Sequence, residues 1–136
     1  MKALGLDVGE RRIGLAAGDS SSGLAVPAGV IVRKGGEADF AAVIDAAEDR
    51  QADTVVVGMP LSMNGRRGPQ AEVTQEFVNA LADRTALTIR TWDERLTSVE
   101  ADRRLRERGG TRKVGAQDAM AAAIMLQAFM DAERRA

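Results

Sequence analysis

Three acidic residues occupy positions where a carboxylate needs a partner. Asp7 lies in the apolar run 4–9, which reads LGLDVG, Glu94 follows the alternating segment 87–92, and Asp118 precedes a stretch rich in alanine. An ionised carboxylate is rarely buried among apolar groups without a cation or hydrogen-bond donors, because burial removes its hydration. If the fold brings these acids together, the partner that they share is a cation.

The composition of the chain narrows the chemistry that these acids can perform. The 136 residues include no histidine and no cysteine, which excludes histidine-based triads, thiolate nucleophiles and zinc–thiolate sites. Carboxylate oxygens suit a hard ion such as Mg²⁺ or Mn²⁺, and a divalent ion relieves the repulsion that raises the pKa of gathered carboxylates. Two such ions about 3.5–4 Å apart activate water and stabilise the leaving oxygen in phosphodiester cleavage.

Each acid also has a purely structural interpretation. Asp7 is a suitable turn residue at a strand end, Glu94 has Arg90 and Arg95 nearby in sequence for a surface ion pair, and Asp118 is favourable near the N-terminus of a helix. The hypothesis of metal-dependent catalysis therefore requires all three acids to lie together.

The elements predicted around these acids form an α/β fold with one mixed sheet. Period-two alternation and short turns predict three antiparallel N-terminal strands, and two β-branched or alternating runs that follow helices predict parallel strands. The strands are 2–8, 12–17, 26–32, 54–58 and 87–92. Apolar spacing predicts four flanking helices over 37–50, 69–84, 97–108 and 116–134, the third starting in a capping box of Thr97 and Glu100. The length suits one domain, residues 1–136.

The faces of the first strand predict how the acids meet. Ala3, Gly5 and Asp7 share one face, whose small side chains let a helix lie close. The last helix, apolar on every side over 119–126, is predicted to pack there and to carry Asp118 towards the first strand. Its apolar surface is explained either by burial in the core or by a homodimer contact.

Positive charge is local, because the net charge is only −1. Six of the eleven residues from Arg103 to Lys113 are Arg or Lys, a density that would hold phosphates without reading sequence. The alternative is a solvated helix face. The candidate nucleic-acid contacts are Arg66, Arg67, Arg95, Arg103, Arg106, Arg112 and Lys113.

The sequence shows no membrane signal. No apolar run approaches the ~18 residues that span a bilayer, and the N-terminus lacks the pattern of a signal peptide. With 45% hydrophobic and 29% charged residues, a cytoplasmic globular protein without a membrane partner is expected.

Four motifs in order resemble the YqgF family, also called RuvX, of RNase H-like nucleases, which are related to the RuvC Holliday-junction resolvases. The motifs are LGLDVG at 4–9 with RIG at 12–14, VGMPL at 57–61 with NG at 64–65 and GP at 68–69, WDERLTS at 92–98, and Asp118 with AA at 121–122 and LQ at 126–127. The resemblance covers nearly the whole chain.

The resemblance implies an RNase H-like fold, with Asp7, Glu94 and Asp118 as the family's acidic residues. It also implies a role in maturing the 5′ end of 16S rRNA, with junction resolution as the other activity considered for the family. One departure is Ala119, where the family usually has lysine. Lys113 or Arg112 is the candidate source of that charge.

The leading hypothesis is a metal-dependent endonuclease in which Asp7 bridges two ions. Its partner is structured RNA such as pre-16S rRNA in a pre-ribosome, or branched DNA. One alternative is a nucleic-acid-binding factor without catalysis, although a phosphate binder gains nothing from repulsive acids. Another is an ATP-binding phosphotransferase, because the hairpin 7–9 followed by Gly14 is similar to the phosphate loop of the actin and sugar-kinase superfamily.

Overall fold

The first strand lies at the centre of the only sheet formed by the described part of the chain. A computed structural model describes residues 1–97, 99–107 and 115–135. The strand order is β3-β2-β1-β4-β5, with β1 antiparallel to β2 and parallel to β4. The strands are β1 (Lys2–Val8), β2 (Arg12–Asp19), β3 (Leu24–Val32), β4 (Thr54–Met59) and β5 (Thr88–Asp93). The predicted mixed sheet of three antiparallel and two parallel strands is confirmed.

The four predicted helices are present, with one difference at the start of the third. They are α1 (Glu37–Asp49), α2 (Pro69–Ala82), α3 (Val99–Glu107) and α4 (Ala116–Arg135). Before α3, a 3₁₀ turn over Glu94–Leu96 is closed by the N–H of Thr97, which is extended at φ −69° and ψ 123°. The turn forms because Asp93 accepts a hydrogen bond from the N–H of Arg95. The predicted capping box needs the side chain of Glu100, and that side chain is not among those that the structure describes.

The two faces of β1 separate two cores, as the alternation predicted. Leu4, Leu6 and Val8 pack with apolar residues of α1 and α2. Ala3 belongs to the opposite core, which α3 and α4 cover. Asp7 is on this second side, at the end of the strand.

Glycines in β1 and β2 allow α4 to lie directly on the sheet. A Cβ atom built on Gly14 would be 2.0 Å from the carbonyl oxygen of Asp118, and one built on Gly5 would be 3.1 Å from the Cβ of Leu126. No larger side chain fits at Gly14 unless the helix moves, because the neighbouring atom belongs to the backbone. The close approach places the first turn of α4 beside the end of β1.

A buried glutamine fixes the other end of this contact. Gln127 is fully buried; its Nε2 donates to the carbonyl of Gly23 and its Oε1 accepts from the N–H of Ala25, both at 2.9 Å. Within 119–130 every residue except Ala121 is buried. Burial in the core therefore accounts for the apolar run 119–126, and the homodimer contact stays a prediction. Among the helices of the described residues, none has the length and apolar character needed to cross a bilayer.

Candidate active site

Asp7 lies at the carboxyl end of β1, opposite Gly14 of β2. Its side chain is half-buried. Burial, and then the negative charge of Asp118, raise the pKa of Asp7 above its usual value. Among the described residues, no group donates a hydrogen bond to this carboxylate. Its negative charge is therefore not balanced by a neighbour in the part of the chain that the structure describes.

Glu94 is the first residue of the 3₁₀ turn after β5. Its carboxylate folds back over β4, where a Cβ atom built on Gly58 would lie 2.5 Å from Oε1. Burial, then the charge of Asp7, then the charge of Asp93 raise the pKa of Glu94 to about 7. The charge of Asp7 thus acts on Glu94 across the end of β4, and the absence of a side chain at Gly58 makes room for the Glu94 carboxylate.

Asp118 lies in the first turn of α4. Its backbone is set against Gly14, and its Oδ2 accepts a hydrogen bond from Nε of Arg12 at 2.8 Å. Because its charge contributes to the raised pKa of Asp7, the two carboxylates are within electrostatic reach. The sequence analysis gave Arg12 no role, although it is part of the RIG motif.

These acids do not form a finished metal site in this conformation. Within residues 1–97, 99–107 and 115–135, no three carboxylates are placed to hold one ion, and Asp118 is paired with Arg12. The donors nevertheless fit Mg²⁺ or Mn²⁺, since all are carboxylate oxygens, and burial together with neighbouring negative charge raises the pKa values of Asp7 and Glu94, which a bound cation would oppose. Shared ions at Asp7, Glu94 and Asp118 stay a prediction.

A buried ion pair supports the turn that follows Asp7, and the sequence analysis missed it. Nη1 of Arg33 donates to the carbonyl of Gly9 at 2.8 Å, while its Nε donates to Asp39 at 3.0 Å. Asp39 is only 2% exposed. Burial opposes its ionisation, but hydrogen bonds from the Lys34 N–H and from Arg33 keep the pKa of Asp39 below its usual value. The signal available in the sequence was an aspartate on the apolar side of a predicted helix.

Two candidate nucleic-acid contacts lie on the loop between β4 and α2. Arg66 and Arg67 are exposed there. The loop is ordered by its own polar groups, because Oγ of Ser62 donates to the carbonyl of Arg66 at 2.9 Å and Oδ1 of Asn64 accepts from the Arg66 N–H at 3.1 Å. Both arginines therefore project from a defined loop at the end of the sheet that carries the acids.

Arg95, predicted as a nucleic-acid contact, forms an ion pair within the chain. Its Nη2 is 2.6 Å from Oδ2 of Asp93, and its Nη1 donates to the carbonyl of Met63 at 3.3 Å. The guanidinium thus links the end of β5 to the loop that carries Arg66. Its charge is already compensated by Asp93.

The remaining basic candidates belong to α3 and the segment after it. Arg103 and Arg106 are both exposed, but Arg106 forms an ion pair with Asp102, one helical turn away. Arg112 and Lys113 lie outside the described residues. Arg103, like Arg66 and Arg67, makes no ion pair with another described residue.

Comparison with known proteins places this chain in a family. The RuvX family model, described as Holliday junction resolvase, matches residues 1–132. A relative from Chloroflexus aurantiacus with the provisional name pre-16S rRNA nuclease is 44% identical over 133 residues, covering 96% of this chain and 87% of the relative. One from Anaeromyxobacter dehalogenans with the same provisional name is 41% identical over 133 residues, covering 96% of this chain and 97% of the relative.

Two solved structures share the fold. Thermus thermophilus RuvC in complex with a Holliday junction substrate aligns with a TM-score of 0.60 at 14% identity, covering 97% of this chain and 96% of that chain. The fowlpox virus resolvase, in complex with Holliday junction DNA, aligns with a TM-score of 0.61 at 10% identity, covering 98% of this chain and 99% of the resolvase chain. At these identities the likeness concerns the fold alone, and it confirms the predicted RNase H-like fold.

Proposed function

Since this chain belongs to the RuvX family and is a nuclease, we propose that it is a divalent-metal-dependent endonuclease acting on structured nucleic acid. Asp7, Glu94 and Asp118 hold two Mg²⁺ or Mn²⁺ ions. One observation carries the proposal: at the carboxyl ends of β1 and β5, which flank β4, the carboxylate of Glu94 lies over Gly58, and burial together with the charge of Asp7 raises the pKa of Glu94.

The acidic residues bind the ions and the exposed basic residues bind the substrate. Asp7, whose charge acts on Glu94 and which feels the charge of Asp118, would be shared by the two ions; Glu94 would hold them from the end of β5, and Asp118 would hold them from α4. Bound ions supply an activated water and charge stabilisation for the leaving oxygen. The exposed Arg66 and Arg67, with Arg103, hold the phosphate backbone by charge.

The substrate that we propose is pre-16S rRNA, processed at its 5′ end. This choice rests on the relatives at 41–44% identity, whose provisional name is pre-16S rRNA nuclease. Four-way junction DNA is the second candidate, because the family model is described as a Holliday junction resolvase. We further propose that residues 1–136 act as one nuclease domain in the cytoplasm.

A cleavage assay with a metal titration tests this function. Purified protein is incubated with precursor 16S rRNA, an unrelated single-stranded RNA and a four-way DNA junction, each with EDTA, Mg²⁺ or Mn²⁺. We expect cleavage only with a divalent ion, and fastest cleavage of the precursor near its mature 5′ end. Cleavage in EDTA at the same rate would contradict the metal requirement, and a preference for the junction would favour the second substrate.

Substituting Gly58 by alanine tests whether Glu94 must lie over β4. The new methyl group would stand 2.5 Å from Oε1 and 3.2 Å from Cδ of Glu94, so the carboxylate must move by about 1 Å. A displacement of this size costs up to about a hundredfold in rate, and we expect a tenfold to hundredfold slower cleavage. The melting temperature should change little, because the end of a flexible side chain absorbs the shift.

Gly68→Ala is the matched control for this change. Gly68 has φ −83°, and a Cβ atom built there meets no atom within 4 Å. We expect the control to cleave at nearly the wild-type rate. Equal rates for Gly58→Ala and Gly68→Ala would show that the position of Glu94 over Gly58 is not needed.

A further inference from the structure

The ion pair of Arg12 with Asp118 has no part in the function proposed above. Arg12 is the first residue of β2 and Asp118 lies 106 residues later in the chain. Their contact is the single hydrogen bond of 2.8 Å between Nε and Oδ2. Both side chains are partly exposed, at 41% for Arg12 and 32% for Asp118. Such a pair is held weakly, because water competes for both charges.

The backbones of the two residues are each held by contacts in the fold. The Asp118 carbonyl lies against Gly14 of β2. The Arg12 carbonyl accepts the N–H of Gly9 at 2.9 Å, which closes the turn between β1 and β2. A change in the partner of Asp118 therefore requires only rotation of the two side chains.

The carboxylate of Asp118 has two charged neighbours. The Arg12 guanidinium takes Oδ2. Asp7 is close enough for the Asp118 charge to raise the pKa of Asp7. A cation bound between the acids needs oxygens of Asp118, and the guanidinium both occupies Oδ2 and repels a second positive charge.

We propose that Arg12 competes with the divalent cation for Asp118 and, once displaced, binds a phosphate of the nucleic-acid substrate. This inference rests on the proposed function. In the metal-free protein the Arg12 guanidinium occupies Oδ2 of Asp118. When the cation takes Asp118, the guanidinium is released at the edge of the same site, where its planar fork suits a phosphate. Cation and substrate then bind with positive coupling, since each removes a competitor of the other.

The first test measures Mn²⁺ affinity by calorimetry without nucleic acid. Arg12→Gln is compared with Arg11→Gln, which removes the same charge one residue away; Arg11 is exposed, and its side chain makes no ion pair with a described residue. We expect Arg12→Gln to bind Mn²⁺ about twofold to fivefold more tightly than Arg11→Gln, the range set by partly exposed ion pairs. Arg12→Lys, which keeps the charge, should restore most of the wild-type affinity. Equal affinities for the two glutamine variants would overturn the competition.

The second test measures binding of labelled precursor rRNA by anisotropy, with Ca²⁺ in place of Mg²⁺ to slow cleavage. At saturating Ca²⁺ we expect Arg12→Gln to lower the slope of log affinity against log salt by about one compared with wild type, as loss of one phosphate contact does. In EDTA the slopes should agree, because Arg12 is then held by Asp118. The same loss of slope with and without Ca²⁺ would overturn the release of Arg12.

Asp118→Asn separates failure of this inference from failure of the proposed function. If Asp118→Asn weakens Mn²⁺ binding while Arg12→Gln binds like Arg11→Gln, the metal site stands and competition by Arg12 is wrong. If Asp118→Asn leaves Mn²⁺ binding unchanged, the cation does not use these acids. The proposed function and the inference then fail together.

Discussion

Replacement of Asp7 by asparagine is expected to slow cleavage by at least about a hundredfold, the size of losing one group that stabilises transition-state charge. Asparagine has nearly the same shape, so the fold should remain. The metal-free protein should even melt at a higher temperature, because the buried, unbalanced charge at the end of β1 is removed. Single-turnover cleavage, thermal melting and anisotropy with precursor rRNA measure the three effects, and nucleic-acid binding in EDTA should be unchanged or stronger.

The matched control is Asp45→Asn, which removes the same charge from an exposed position on α1. It should cleave at the wild-type rate and melt at nearly the wild-type temperature. If Asp7→Asn also cleaves at the wild-type rate, Asp7 does not hold a catalytic ion. A lower melting temperature for Asp7→Asn would contradict the interpretation that its charge is uncompensated.

The stability of the metal-free protein is expected to fall as the pH rises from about 4.5 to 7, because of Glu94. Its pKa is raised from 4.5 to about 7 in the folded protein, so the folded state binds more protons than the unfolded state in this window. The loss of folding free energy caused by ionised Glu94 is absent below pH 4.5 and complete above pH 7. It amounts to at most about 3 kcal/mol at 1.36 kcal/mol per pKa unit, and less after screening by solvent.

Glu94→Gln should remove this pH dependence and be more stable than wild type at pH 8. Melting curves from pH 4.5 to 8, in EDTA and in Mg²⁺, measure the effect; Mg²⁺ should restore wild-type stability at high pH, because the ion binds the ionised carboxylate. Glu76→Gln, at an exposed position on α2, is the control and should follow the wild-type curve. A Glu94→Gln curve parallel to wild type would show that Glu94 ionises normally.

The sheet was predictable because its patterns are local. The first strand was predicted over 2–8 and is Lys2–Val8; the alternation of large and small side chains also indicated which face α4 covers. The third helix was predicted from 97, and its described residues begin at Val99. The 3₁₀ turn before it was not predicted. It depends on the hydrogen bond that the Asp93 side chain accepts from the N–H of Arg95, and residue types alone do not show whether such a turn forms.

The proximity of two of the three acids was predictable from the sequence, and the ion pair of the third was not. Sequence position and the fold rule for parallel strands indicated that Asp7 and Glu94 meet, and the structure places them within mutual electrostatic reach. The pairing of Asp118 with Arg12 was not predictable, because it joins side chains 106 residues apart and depends on their rotamers. The position of Gly58 beneath Glu94 depends on sheet register and also has no local signal.

The separation in sequence between β2 and α4 also sets an order of assembly during synthesis. The ribosome makes the chain from the N-terminus, so all five strands leave it before residues 116–135. Until then the face that bears Gly5 and Gly14 has no cover, and the N–H of Ala25 lacks its partner Gln127. Contacts across such distances form slowly, since a long loop must close first. A chain still being translated therefore carries Asp7 and Glu94 but lacks Asp118, and the candidate site is assembled only when the last helix docks.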